Sequence, residues 1–489
     1  MSQHVVVIGS GFSSLSAASY LARAGYAVTV LEKNSGPGGR ARIWEQDGYR
    51  FDMGPSWYWM PEVFEQFFQD FGFQVDDFYQ LKRLNPSYRV YFKGEHIDVP
   101  ADPLALEALF EQREPGAGMQ LRAFLEDARY KYETAMREYV ERLSDNIWEF
   151  VDLKLLIKTW QMQLLSSLRT KVRKSFRDPA LVAILEFPVL FLGSTPDRTP
   201  AMYSMMNYAD LQLGTWYPQG GMHEIVKGMV AVAEKQGVAF RFNEPVKKID
   251  VVNGKARQVI TDQQTYAVDW VVAGADYAHV EQTLLEARWR QYDASYWNSR
   301  EMSPSSLLYY LGVNRSIPEL LHHTLFFDED FDRHAAEIYI EPQWPTKPLF
   351  YVCTASKTDQ TIAPAGHENV FLLMPLAVGI EDTEEVREKY FQLMLDRLEA
   401  RTGVDIRHHI VLKRSFCIQD FEKDYHSFRG NAYGLANSLR QTAFLKPKMK
   451  SPKVSNLYYA GQLTVPGPGV PPAIISGRIA AREISLRNK

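Results

Sequence analysis

The stretch Val5–Glu32 constrains the fold of this chain more than any other. Val5-Val6-Val7-Ile8 is a β-branched run of the kind that forms a buried strand. It opens into Gly9-Ser10-Gly11-Phe12-Ser13-Ser14, after which Leu15, Ala17, Ala18, Leu21 and Ala22 recur at helical spacing. Gly25-Tyr26 ends that helix, and Ala27–Leu31 forms a second strand closed by Glu32. Strand, helix, strand and acid fall at the spacing of a dinucleotide site. Gly9 permits the tight turn, and Gly11 lets the backbone approach a pyrophosphate. The helix beginning near Ser13 offers free N–H groups and the positive end of its dipole. Glu32 is placed to accept hydrogen bonds from a ribose diol. Ser14 stands where a third glycine is usual, and it is still small enough for a helix to pack on a strand.

Two more segments follow at once, Gly36-Pro37-Gly38-Gly39-Arg40-Ala41-Arg42 and Phe51-Asp52-Met53-Gly54-Pro55-Ser56. Their backbone N–H groups and arginines suit the same pyrophosphate or a flavin edge. A surface turn with a solvated basic patch would use similar residues. The extended pattern resembles the two-dinucleotide-binding flavoproteins that include amine oxidases and carotenoid desaturases, and this resemblance implies FAD.

At 489 residues, with 46% hydrophobic and 23% charged residues, the chain suits two or three globular domains. A net charge of −4 gives no reason to expect nucleic acid. Cys353 and Cys417 are the only cysteines, too few for a disulfide framework or a cysteine metal site. The pairs His322-His323 and His408-His409 do not match zinc spacings, so they are expected to be structural or surface histidines, and no metal is expected. A strand beginning at Val5 leaves no room for a cleaved signal peptide. No uncharged apolar run reaches the roughly 20 residues of a membrane span. The expected location is cytoplasmic, with contact to a membrane surface left open.

A helix near residues 61–73 and a hairpin, Tyr88–Phe92 with His96–Pro100, open a second region. From Gly116 to about Leu213 the pattern is mostly helical. Lys154 to Arg177 carries seven basic residues and no acidic one, beside Trp160 and several leucines. That composition suits a helix in a lipid headgroup layer, and equally a core helix with a solvated basic end. Nucleotide-domain character returns at Gly220-Gly221-Met222, followed by a helix from His223 to Gln236. Strands are expected at Val238–Phe242, Pro245–Ile249 and Trp270–Ala273, the last leading into Gly274-Ala275-Asp276. Further strands are expected at Leu307–Val313, Ala336–Ile340, Phe350–Thr354 and Asn369–Leu376, with a long helix from Thr383 to Thr402. Near the carboxyl end, the strand Asn456–Ala460 runs into Gly461, a rigid loop at Pro466–Pro472 and a helix from Ala473. A helix start aimed at the flavin's pyrimidine edge would stabilise the charge of reduced flavin.

Over nearly its whole length the chain resembles a bacterial-type phytoene desaturase. The matching segments are Gly9–Ser14, Gly38-Gly39-Arg40, Asp52–Ser56, Gly220-Gly221-Met222, Ala275-Asp276, and Gly461 with Pro466–Pro471. His322-His323-Thr324 and Thr358-Asp359 with Ala363–His367 also match. Pro468 and Pro472 replace small residues of the family's carboxyl motif, which bears on the carotenoid preferred and the number of double bonds introduced.

The resemblance implies an α/β fold with a discontinuous Rossmann-like FAD domain (1–82, 216–292, 430–489), a mixed-sheet substrate domain (83–119, 293–429) and an inserted helical membrane-associating region (120–215). It implies FAD contacts at Gly9, Gly11, Ser13, Ser14, Glu32, Lys33, Gly39, Arg40, Gly54, Pro55, Ser56, Val246, Asp276, Gly461, Gly469, Val470 and Pro471. The implied activity is stepwise dehydrogenation of phytoene towards lycopene, a CH–CH oxidation needing no named catalytic residue. The implied partners are a long-chain carotene drawn from the bilayer, the inner face of the cell membrane, and quinone or oxygen as electron acceptor. Alternatives are a desaturase of another carotenoid, such as a hydroxylated one, and a soluble flavin oxidase of amines or porphyrinogens. A reductase fed by nicotinamide would need a second glycine fingerprint.

Overall fold

The computed structural model describes residues 2–143, 162–163, 166–438, 441–442 and 445–487. Strand β1 (His4–Ile8) lies at the centre of a five-stranded parallel sheet. Its neighbours are β2 (Ala27–Leu31) and the strand Trp270–Ala273, and the edges are Ala239–Arg241 and Leu457–Tyr459. A central parallel strand is covered on both faces, which is why Val5 to Ile8 is an unbroken apolar run. Helix α1 (Phe12–Arg23) and the C-terminal helix Val470–Leu486 pack tightly together beside this sheet.

Small residues make that contact close. The Ser16 hydroxyl donates to the Ile474 carbonyl at 2.7 Å. A Cβ added at Gly477 would come within 2.1 Å of the Ser13 carbonyl oxygen. Ser14 is compensated from across the sheet, because a Cβ at Gly274 would meet its hydroxyl at 2.0 Å. The third small residue of the fingerprint is thus supplied jointly by Ser14 and Gly274.

The strand Val246–Val252 lies outside the parallel sheet. It forms a separate three-stranded antiparallel sheet with Lys255–Thr261 and Thr265–Ala267. A seven-stranded mixed sheet runs in the order Ile410–Phe416, Ser305–Val313, Glu368–Leu376, Phe350–Cys353, His323–Phe326, Tyr88–Tyr91, His96–Val99. Every residue of Ser305–Val313 is buried. Leu307, Tyr309, Leu311 and Val313 pack with Tyr390, Met394 and Leu398 of the helix Glu384–Thr402, while Leu308 and Tyr310 face the other core. Period-two alternation therefore feeds two cores at once.

The strand expected at Ala336–Ile340 is a helix, Phe331–Tyr339. Asp330 caps it by accepting from the Asp332 and Arg333 N–H groups, and Arg333 pairs with Glu337 four residues on at 2.8 Å. These local signals outweigh the short apolar run.

The helices Ala117–Glu138, Leu168–Ser175, Pro179–Glu186 and Met205–Leu211 make up much of the region from 117 to 211. Of the basic segment Lys154–Arg177 that suits a lipid headgroup layer, residues 154–161 and 164–165 lie outside the described residues. In its described part, Lys171 pairs with Asp127, Arg169 with Asp332, and Arg173 with Glu186 at 3.1 Å. Three of the seven basic residues are thus paired with acids outside the run. Among the described residues no helix is long and apolar enough to cross a membrane.

Gly477→Ala is expected to cost about 1–3 kcal/mol by overpacking against backbone and to lower the unfolding midpoint. Gly36→Ala, where a Cβ meets nothing within 4 Å, should stay within about 0.5 kcal/mol. Thermal unfolding of the two variants side by side checks this.

Candidate functional site

A cavity of about 610 Å³ begins at the carboxyl ends of the parallel strands, where open α/β sheets bind ligands. At this end it is lined by Gly9, Gly11, Ser13, Glu32, Lys33, Gly39 and Arg40, then Gly54, Pro55 and Ser56. Val246, Asp276, Gly461, Gly469, Val470 and Pro471 complete this part of the wall. Ser14 is not among the lining residues, because its hydroxyl is turned against Gly274.

The turn has the shape a diphosphate requires. Gly9 has φ +90°, and a Cβ at Gly11 would meet no atom within 4 Å. Gly11 is the N-cap of α1, and no side chain caps that helix start. Glu32 is buried with both carboxylate oxygens already oriented: one accepts from the Ser10 N–H at 2.9 Å and the Ser10 hydroxyl at 2.7 Å, the other from the Asn34 N–H at 2.9 Å.

Arg40 donates to the Ser427 hydroxyl at 2.9 Å and the Asn431 carbonyl at 3.4 Å, and its Nε has no partner among the described residues. Loss of water lowers its pKa from the ordinary guanidinium value, and the charge of Asp276 opposes the shift. Burial pushes the Asp276 carboxyl up to about 6 against the pull of Arg40. Arg42 does not line the cavity. It pairs with Asp424 and lies 5.1 Å from the Tyr425 ring, so only one of the two arginines is offered to a ligand.

Asp52 also has a structural task. It accepts from the Met222 and His223 N–H groups at 2.7 and 3.0 Å, which ties Asp52–Ser56 to Gly220–Met222 at a helix start. At the C-terminal helix, Pro471 and Pro472 carry no N–H and the Ala473 N–H bonds to the Gly469 carbonyl. Val470 is left as the first-turn donor facing the cavity.

Beyond the Pro466–Pro472 loop the lining turns apolar and aromatic: Tyr132, Met136, Met202, Met206, Phe327, Phe331 and Ile338. His334 lines this end, accepting from the Leu349 N–H at Nδ1 (3.0 Å) and bonding the Pro375 carbonyl through Nε2 (3.1 Å). The bond accepted at Nδ1 requires the neutral ring, and burial holds its pKa down to about 4. No sequence motif pointed to these residues. They come from helices and strand ends far apart in the chain and share only their apolar character.

His322 and His323 are buried, not on the surface. His323 is the cross-strand partner of Cys353, and the three side chains gather within 4.8 Å, a cluster that sequence spacing hides. His323 stacks on Trp57 at 4.0 Å and bonds the Tyr351 hydroxyl, which donates to Ser56. Burial pushes the Cys353 thiol up to about 12, so it stays protonated.

A family described as "Flavin containing amine oxidoreductase" matches residues 12–485. A carotenoid 3,4-desaturase of Haloarcula japonica is 42% identical over 485 residues, covering 99% of this chain and 98% of its own. A zeta-carotene-forming phytoene desaturase of Myxococcus xanthus is 30% identical, covering 99% and 94%. In fold, the chain is similar to a solved oxidoreductase of Methanosarcina mazei, with a TM-score of 0.62, 17% identity and coverage of 99% and 100%. The uncapped α1 start, the open cradle at Gly11, the unpartnered Arg40 Nε and the oriented Glu32 fit FAD.

Glu32→Ala should weaken FAD by roughly 1.5–3 kcal/mol, the worth of a charge-assisted hydrogen bond, and Glu32→Gln by less. Flavin release followed by fluorescence checks this. A second expectation concerns acid. Unfolded histidine protonates near pH 6.5, whereas folded His334 stays neutral to about 4. The unfolded chain therefore takes up that proton first, and stability falls as pH drops from 6.5 towards 4, by on the order of 3 kcal/mol for this group. His334→Gln should make this acid limb shallower by about one proton in urea unfolding followed against pH.

Proposed function

The chain belongs to the flavin containing amine oxidoreductases, and within them to the bacterial-type carotenoid desaturases; from that premise we propose that it uses FAD to dehydrogenate a long-chain carotenoid. The observation that carries this reading is the single cavity that joins the dinucleotide cradle at Gly11 and Glu32 to the apolar end at Met136, Met206 and Ile338. A polyene needs no ion pair for recognition, only an extended apolar wall, and each buried methylene is worth about 0.8 kcal/mol.

Bound flavin supplies hydride acceptance from a carbon next to the polyene. The protein's part is orientation. Tyr132, Phe327 and Phe331 are flat walls against which a rigid chain lies in one register, and positioning of this kind can supply several kcal/mol. Removing a hydride beside a conjugated chain spreads the positive charge over that chain, so the following proton loss needs only a weak acceptor. The Val470 N–H and the start of the C-terminal helix would favour negative charge on a flavin bound beside them.

Two bonds compete. The 42% relative favours the C3–C4 bond at one end of a carotenoid. The resemblance to phytoene desaturases, and the 30% identity to a zeta-carotene-forming one, favour stepwise desaturation of phytoene. We take the 3,4-position as the first reading on the higher identity. The substrate enters from a membrane surface, since it has no free solubility, and electrons leave to a quinone or oxygen.

The test incubates FAD-loaded protein with liposomes carrying lycopene in one arm and phytoene in the other, supplied with quinone or oxygen and no nicotinamide. A red shift of the polyene bands is expected in the lycopene arm. Product in the phytoene arm alone would move the assignment to phytoene. No dehydrogenation in either arm, with turnover of an amine, would overturn the reading.

A further inference from the structure

Lys446 is fully enclosed, and its ammonium has no hydrogen-bond partner among the described residues. It stands directly behind the cavity wall. A Cβ placed on Gly467 would lie 3.1 Å from Lys446 Nζ and 3.6 Å from both amide atoms of Asn437. Gly467 and Asn437 both line the cavity, at the loop that precedes the C-terminal helix. Gly467 has φ +141°, which disfavours a side chain, so the amine rests against bare backbone. The Asn437 Oδ1 is also buried without a partner among the described residues.

A buried amine without a counter-charge is costly, and a negative charge that forms close to it in a low-dielectric site is strongly favoured. Burial alone moves Lys446, down to about 7, and no carboxylate offsets the shift. The family's cofactor becomes negatively charged on two-electron reduction, when a hydride is added and the matching proton leaves the substrate elsewhere. We propose that Lys446 is a further residue of the flavin site, whose positive charge, acting across the Gly467 backbone, favours the reduced flavin. It is a positioning charge and touches no reacting atom. By reciprocity the reduced flavin holds the amine in its charged form.

The inference rests on the flavin site and is independent of the carotenoid reading, because its test uses no carotenoid. The holoenzyme, K446M and K446R are titrated with sulfite, which adds to oxidised flavin to give an anion, and their two-electron potentials are measured by dye equilibration. K446M is expected to bind sulfite at least tenfold more weakly and to lose a similar factor in the reduction equilibrium, about 30 mV per tenfold. K446R should recover most of both. If K446M fails to retain flavin, the same two titrations on K446Q decide. Sulfite affinity and potential within twofold of wild type in a flavin-loaded neutral variant would overturn the proposal.

Discussion

The contact between the start of α1 and the C-terminal helix is the constraint on which the rest of the molecule depends. Ser13, Ser16 and Gly477 bring two helix backbones to a separation that no larger residue allows. That closeness puts the uncapped first turn of α1 and the first turn at Val470 on one cavity. Two helix N-termini converging on one space make it favourable to anions at two points, as a dinucleotide with a reducible ring requires. The seven-stranded sheet then needs only to supply an apolar wall beyond.

The nucleotide half was readable in the sequence because its signals are local. Gly9, Gly11 and Glu32 lie within one βαβ unit, and each is tied to its role by backbone geometry. Gly461 and Val470 could be added because a strand, a glycine and a helix follow in order. The motif reading reached less far where one segment serves another. Asp52 and Gly221 read as separate motifs, yet the structure joins them as a cap and the helix it holds. Ser14 read as a cofactor neighbour, yet it fills the space opposite Gly274. Val246 reads as a strand in both, but hydrogen bonding places it in an antiparallel sheet of its own.

The apolar end of the cavity was illegible for a physical reason. Apolar lining residues such as Met136, Met206 and Ile338 are chemically indistinguishable from core residues until the backbone shows which side faces a space. Charge likewise depends on what lies outside a segment. The basic run ending at Arg177 looks unopposed because Asp127, Glu186 and Asp332 lie outside it, and long-range pairing decides how much positive potential survives at the surface. Lys446 carried no signal at all, being one lysine among several near the carboxyl end.

The parallel sheet has a consequence for the order of events during synthesis. Its central strand is synthesised well before one edge strand, Leu457–Tyr459, and the helix that packs against α1, with the seven-stranded sheet made in between. The nascent βα unit therefore waits, with the inner face of α1 uncovered, until that distant helix has been made. Closure of so distant a pair is slow compared with local helix formation. During that interval the apolar segments made in between are exposed to whatever chaperone or lipid surface is at hand.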